Sequence, residues 1–226
     1  MKHPQSGFTL IEIAIVLVII GLLLGGVLKG EELINSARVK NLAGDFRNIP
    51  LFIYSYQDKF RALPGDDAAA SAHLTGGTNA TTPSGTVGNG IINGNWNSTT
   101  TTDESYLFWQ HIRLANLTNG ATSASATDYL PSNATGGSIG IQSGTNVAAN
   151  SPIKDSGNNA IRGSYIICSS NIAGKYVKQL DLQIDDGNTA SGAMLATPTS
   201  SYAIGSTATA TGSVDDATGY TVCMGI

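Results

Sequence analysis

The chain has 226 residues, enough for one sizeable domain or for a domain plus a separate element. Apolar residues make up 41%, close to an ordinary globular protein, but only 12% are charged and the formal net charge is -4. No basic cluster stands out, so nothing in the composition indicates a nucleic-acid partner.

The apolar residues are concentrated at one end. Between Phe8 and Leu28 the only charged residue is Glu12. As a helix this stretch is roughly 30 Å long, about the thickness of one hydrocarbon core. A removed secretory signal is the competing reading. Its apolar core runs only about 7–15 residues and is followed by a small-residue cleavage site. Here the run is longer, no Ala-x-Ala follows it, and Lys29, Glu31 and Glu32 continue in a helical pattern. A retained membrane helix is the expectation.

The residues around Glu12 sharpen that reading. A short, mildly basic segment, Met1-Lys2-His3-Pro4-Gln5-Ser6-Gly7, precedes Phe8-Thr9-Leu10-Ile11-Glu12. Glycine, aromatic, Thr-Leu-Ile-Glu and apolar run stand together in the order that resembles the prepilin signal of type IV pilins and type II secretion pseudopilins. The resemblance is carried mainly by residues 1–45. It implies cleavage by a prepilin peptidase between Gly7 and Phe8, and methylation of the new amine on Phe8. It implies no enzymatic activity. The implied partners are the peptidase, other pilin or pseudopilin subunits and the inner membrane. The implied location is a single pass through a bacterial inner membrane, head in the periplasm, with a periplasmic or extracellular filament after assembly. The lysines and arginines flanking the span give little orientation signal of their own.

Glu12 has a physical role beside the family one. A carboxylate at the head of a membrane helix is costly unless paired. The amine created on Phe8 of a neighbouring subunit would pair with it, which is the assembly contact the resemblance implies. A capping box, with Thr9 as N-cap and Glu12 at N3, is the plainer reading, and the two are compatible. Gly21 and Gly25 form a G-x-x-x-G, and Gly26 with Gly30 another, spacings that let helices approach closely.

Past Gly30 an amphipathic pattern continues through Leu33, Ile34, Ala37, Leu42, Phe46, Ile49, Ile53, Tyr56 and Phe60. Pro50 is expected to kink or split this helix. Leu63-Pro64-Gly65-Asp66 reads as a type II turn that ends it, with Asp66 capping a short helix. Residues 75–102 read as a long surface loop. Thr101-Thr102-Asp103-Glu104 reads as a capping box opening a helix over 105–115, closed by Asn119-Gly120. In that helix His111 reads as a surface or boundary histidine, with no second histidine at zinc-ligand spacing.

Strands are expected at 138–141, 163–168, 193–196 and 220–224, with a short helix through Tyr176, Val177, Leu180 and Ile184. The fold class is therefore α+β: a long N-terminal helix packed on a small, mainly antiparallel sheet with long loops. The expected organisation is a leader at 1–7, a transmembrane helix at 8–28, an amphipathic continuation at 29–62 and a head at 63–226. Asp181, Asp185, Asp186 and Asn188 could supply oxygen ligands to calcium, as in some pseudopilins. Their spacing is not that of an EF-hand, and a solvated turn is the plainer reading. No other cofactor is suggested. Cys168 and Cys223 are the only cysteines. In the exported head that the resemblance implies, they are expected to form a disulfide. No catalytic motif with credible spacing occurs. A filament subunit is the leading expectation, and a membrane-anchored periplasmic binding domain or enzyme the alternative.

Overall fold

A computed structural model describes residues 9–226 of the chain. The fold is α+β and falls into two compact units, residues 1–38 and 39–226. Helix α1 spans Leu10–Phe60. In the first unit every residue from Thr9 to Lys29 is exposed. The helix is therefore long and apolar enough to cross a membrane, and it buries none of its apolar stretch in protein. Its backbone stays helical through Gly21, Gly25, Gly26 and Gly30.

In the second unit α1 changes character. Val39, Leu42, Ala43, Phe46, Ile49, Ile53 and Tyr56 are buried at three- and four-residue spacing. Pro50 lies inside this stretch and does not split it, so of the two outcomes expected from the sequence, a kink or a break, the break does not occur. An interior proline costs about 3 kcal/mol. Burying a large apolar side chain returns about 1.5–3 kcal/mol, and Phe46, Ile49 and Ile53 flank the proline on both sides. Packing outweighs the break. The helix ends where Arg61 takes a positive φ of 56° while donating its N–H to the Gln57 carbonyl.

Three further helices follow: α2 (Ala70–His73), α3 (Glu104–Leu114) and α4 (Gly174–Ile184). The main sheet contains β1 (Ile139–Ser143), β3 (Tyr165–Ala173), β4 (Met194–Pro198) and β6 (Gly219–Gly225). Its order is β1-β3-β6-β4, antiparallel throughout. These are the four strands read from the sequence, with ends moved by a few residues. A small parallel pair, β2 (Ile153–Lys154) with β5 (Ser206–Thr207), was not foreseen. Two residues per strand are too few to show a period.

Both faces of the main sheet are buried. Ile141, Ile167, Met194 and Val222 join the core formed with α1, α3 and α4. The alternating residues Ile166, Cys168, Leu195 and Cys223 pack with Trp96, Ile153 and Ile161 on the other face. This explains why the strands read as unbroken apolar runs such as Ile166-Ile167-Cys168. Cys168 stands opposite Cys223 in the β3–β6 register, and the two form a disulfide. Closing a loop of 55 residues stabilises by roughly 4 kcal/mol in the chain-entropy account.

The segment between α2 and α3 is irregular but is not a free surface loop. Ala80, Ile92 and Trp96 are buried along it. The expected capping box at Thr101–Glu104 is also replaced. Asp103 occupies the N-cap position without capping, because its carboxylate receives the hydroxyls of Thr82 and Ser98. Glu104 is fully buried and accepts the Asn93 N–H and the Thr86 hydroxyl. Both carboxylates hold the irregular segment instead of the helix end. The helix closes earlier than Asn119-Gly120. Asn116 takes φ 61°, with Asn116 N–H bonded to the Arg113 carbonyl and Leu117 N–H to that of Ile112. That is a Schellman closure with asparagine in the left-handed position.

Candidate assembly site

The first described residues build a capping box. Thr9 N–H donates to Glu12 Oε2 at 2.8 Å, the Thr9 hydroxyl to the same oxygen at 2.7 Å, and Glu12 N–H to Thr9 Oγ1 at 3.3 Å. The reciprocal bonds satisfy two of the otherwise unpartnered N–H groups of the first turn. They also hold the carboxylate at the positive end of α1, with Oε1 carrying no bond from the described residues. Gly7 and Phe8, the two residues expected to flank the cleavage point, lie outside the described residues.

Below this cap, Gly21 and Gly25 lie one helical turn apart on α1. A Cβ built on either meets no atom within 4 Å. At the end of the run the exposed pair Lys29–Glu32 closes at 2.6 Å, an i,i+3 ion pair marking the return to a polar surface. A polar cap, an apolar length of about one bilayer and a charged boundary follow one another along this segment.

A family model described as the prokaryotic N-terminal methylation motif matches residues 2–28. With the long apolar helix, this fits a type IV pilin-like protein. The motif supports a pilin- or pseudopilin-type precursor processed by a prepilin peptidase, and the apolar helix is consistent with anchoring in the inner membrane. No curated protein and no solved structure matches the chain.

In the head of this pilin-like chain, the Leu63–Asp66 turn is the centre of a buried polar network that the sequence only partly revealed. Gly65 has φ 92°, as the third position of a type II turn requires, and donates its N–H to His111 Nδ1 at 2.9 Å. His111 Nε2 in turn donates to the Thr78 carbonyl at 2.8 Å. The histidine is fully buried, not at a boundary as its sequence context suggested. Asp66 does not cap α2. Its carboxylate accepts the backbone N–H groups of Gly88, Asn89 and Gly90, pinning the irregular segment. Asp67 is the residue that bonds near α2, accepting the Ala69 N–H, the Tyr56 hydroxyl and His73 Nδ1. Burial raises the Asp67 carboxyl, but the bonds from His73, Tyr56 and Ala69 outweigh it and hold the group below the usual carboxylate range.

A cleft of about 670 Å³ lies beside this network, lined by Phe60, Arg61, Asp66, Asp67, His73 and Tyr165 among others. Its carboxylates receive N–H and O–H donors, so the Asp66/Asp67 pair ties the turn to α1, α2 and the irregular segment.

Burial depresses the His111 pKa, with the Thr78 bond and Asp67 opposing only in part. Because the folded value lies below the unfolded one, the contribution of neutral His111 is fully present above about pH 6.5. It is lost as pH falls through the depressed folded value. Long-range nitrogen–proton NMR should find His111 still neutral at pH 6.5, as the Nε2–H tautomer. An imidazolium there, or the opposite tautomer, would contradict the network.

The carboxylates at the end of α4 also come together. One oxygen each from Asp181, Asp185 and Asp186 lies within 4.8 Å of the others. Burial pushes the Asp181 carboxyl up to about 6; the Gly187 N–H opposes this and the charges of Asp185 and Asp186 add to it. Asn188 directs its Oδ1 to the Ala190 N–H at 3.3 Å. The sequence named these residues; it did not reveal that Asp181 faces inward.

Proposed function

We propose that the chain is a structural subunit of a type IV pilus-like or type II secretion pseudopilus filament. After cleavage following Gly7, the amine of Phe8 in one subunit pairs with Glu12 of a neighbour, and the apolar halves of α1 pack together through faces that include Gly21 and Gly25. The head lies on the periplasmic side, where an oxidised Cys168–Cys223 pair is stable. The observation that carries this reading is a lone carboxylate held at the start of an apolar helix with no cationic partner of its own among the described residues. A head-to-tail contact of this kind does not close on itself and so generates a helical filament.

The test is intact-mass analysis of protein extracted from host membranes and from sheared, sedimented filaments. The expected chain begins at Phe8, one methyl group heavier and two hydrogens lighter than the reduced sequence, and occurs in both fractions. An intact Met1, or a cut beyond Leu28, would make an anchored or secreted binding domain the better reading.

A further inference from the structure

Three Asn-Gly steps occur in the chain, Asn89-Gly90, Asn93-Gly94 and Asn119-Gly120. Glycine has no Cβ to crowd its nitrogen, so at such a step that nitrogen can attack the side-chain carbonyl of the asparagine before it. The fold restrains two of the three. The Gly90 N–H is held by Asp66 Oδ2 at 2.7 Å, and Asn89 Oδ1 accepts the Ile91 N–H at 2.8 Å. The Asn93 side-chain amide donates to the Ile91 carbonyl at 3.1 Å and to Glu104 Oε2 at 3.2 Å. The third step, just beyond α3, is exposed at both residues. Neither the Asn119 side chain nor the Gly120 N–H has a hydrogen-bond partner among the described residues.

A cation stands against that free step. Arg113, in the last turn of α3, is buried, and a Cβ on Gly120 would lie 2.5 Å from its Nε. Arg113 Nη1 donates to the Ala121 and Tyr129 carbonyls at 2.8 and 2.6 Å, but Nε has no partner. Among the described residues Arg113 makes no ion pair. A buried charge without a counter-ion is costly.

We propose that Asn119 is a site of spontaneous deamidation, and that the carboxylate it gains serves as the counter-ion of Arg113. The Gly120 nitrogen gives up its proton and bonds to Asn119 Cγ. The Cγ–Nδ2 bond breaks, and ammonia leaves carrying that proton. Solvent water then opens the cyclic imide at either carbonyl, leaving aspartate or isoaspartate. The guanidinium beside Gly120 favours the first step, because a nearby positive charge stabilises the deprotonated nitrogen. It also favours the product, since a bond from a cation to a carboxylate is about twice as strong as one between neutral groups. This inference is independent of filament assembly.

The experiment incubates the full chain in detergent micelles in mildly alkaline buffer and follows all three steps by peptide mapping and mass spectrometry. Each deamidation adds one mass unit. Asn119 should react at least about ten-fold faster than Asn89 or Asn93, because those two must first break hydrogen bonds to a carboxylate. In urea the three rates should converge, since the restraint belongs to the fold. Asn119→Gln, an exposed and conservative change, should remove the fast signal. Asn119→Asp, which installs the product directly, should raise Tm by about 2 °C or more through the bond to Arg113. The site assignment is overturned if Asn89 or Asn93 reacts as fast as Asn119 in the folded chain, or if Asn119 stays intact while the unfolded chain reacts. An equal or lower Tm for Asn119→Asp overturns the pairing with Arg113.

Discussion

Glu12→Ala subunits should insert into the membrane and be cleaved after Gly7, yet fail to enter filaments. In the proposed contact, removing the carboxylate leaves the Phe8 amine of the neighbour uncompensated among apolar helices, an unfavourable arrangement repeated at every subunit along the filament. The alanine variant also loses the capping box, so the two roles of the carboxylate must be separated. Glu12→Gln separates them. Glutamine serves at the N3 position of a capping box but carries no charge. Both variants should accumulate in the membrane fraction at parental levels and be absent from sheared filaments in immunoblots. Normal filaments from the glutamine variant would reduce Glu12 to a helix cap, in keeping with its bonds to Thr9.

In the head a large single-residue effect is expected at Gly65. Two penalties coincide there. The φ of 92° strains any residue with a side chain, and a Cβ would lie 2.3 Å from the Glu104 carbonyl oxygen at the start of α3. Backbone strain costs about 1–3 kcal/mol and forced overpacking a similar amount. Gly65→Ala should therefore lose about 3–5 kcal/mol, on the order of 10 °C in Tm for a unit of this size. The displaced turn would also pull the Gly65 N–H away from His111. Gly76→Ala is the control. Its φ is 82° but its Cβ meets nothing within 4 Å, so only the strain should register, about 1 kcal/mol. Equal melting temperatures for the two variants would show that the contact between the turn and α3 is not rigid.

The parts of the fold legible in the sequence were those governed by local rules. The apolar run from Phe8 to Leu28, the three- and four-residue spacing from Leu42 to Tyr56 and the four strands all follow from residues near in sequence. The departures share one cause. Asp66, Asp103 and Glu104 each stand where a helix cap is expected, and each instead serves the irregular segment between α2 and α3. A carboxylate near a helix start can bond N–H groups of its own helix or those of a distant loop. Local pattern cannot decide between them. Pro50 departs for the same reason, since a core contributed by remote strands outweighs a local penalty. At the start of α1, Glu12 was readable because a lone charge is conspicuous in an apolar run, while Gly7 and Phe8 lie outside the described residues. The burial of Asp181 was not readable, because helical spacing shows which residues share a face but not what covers it.

The strand order has a consequence for the order of folding. β6 is the last strand in the sequence, yet it lies between β3 and β4 and is the partner both require. Neither neighbour can complete its ladder before β6 has been synthesised. Until residues 219–225 are in place, β3 has only β1 beside it and β4 has no strand partner in the main sheet. If the head is exported as proposed, its main sheet can close only after residues 219–225 have crossed the membrane.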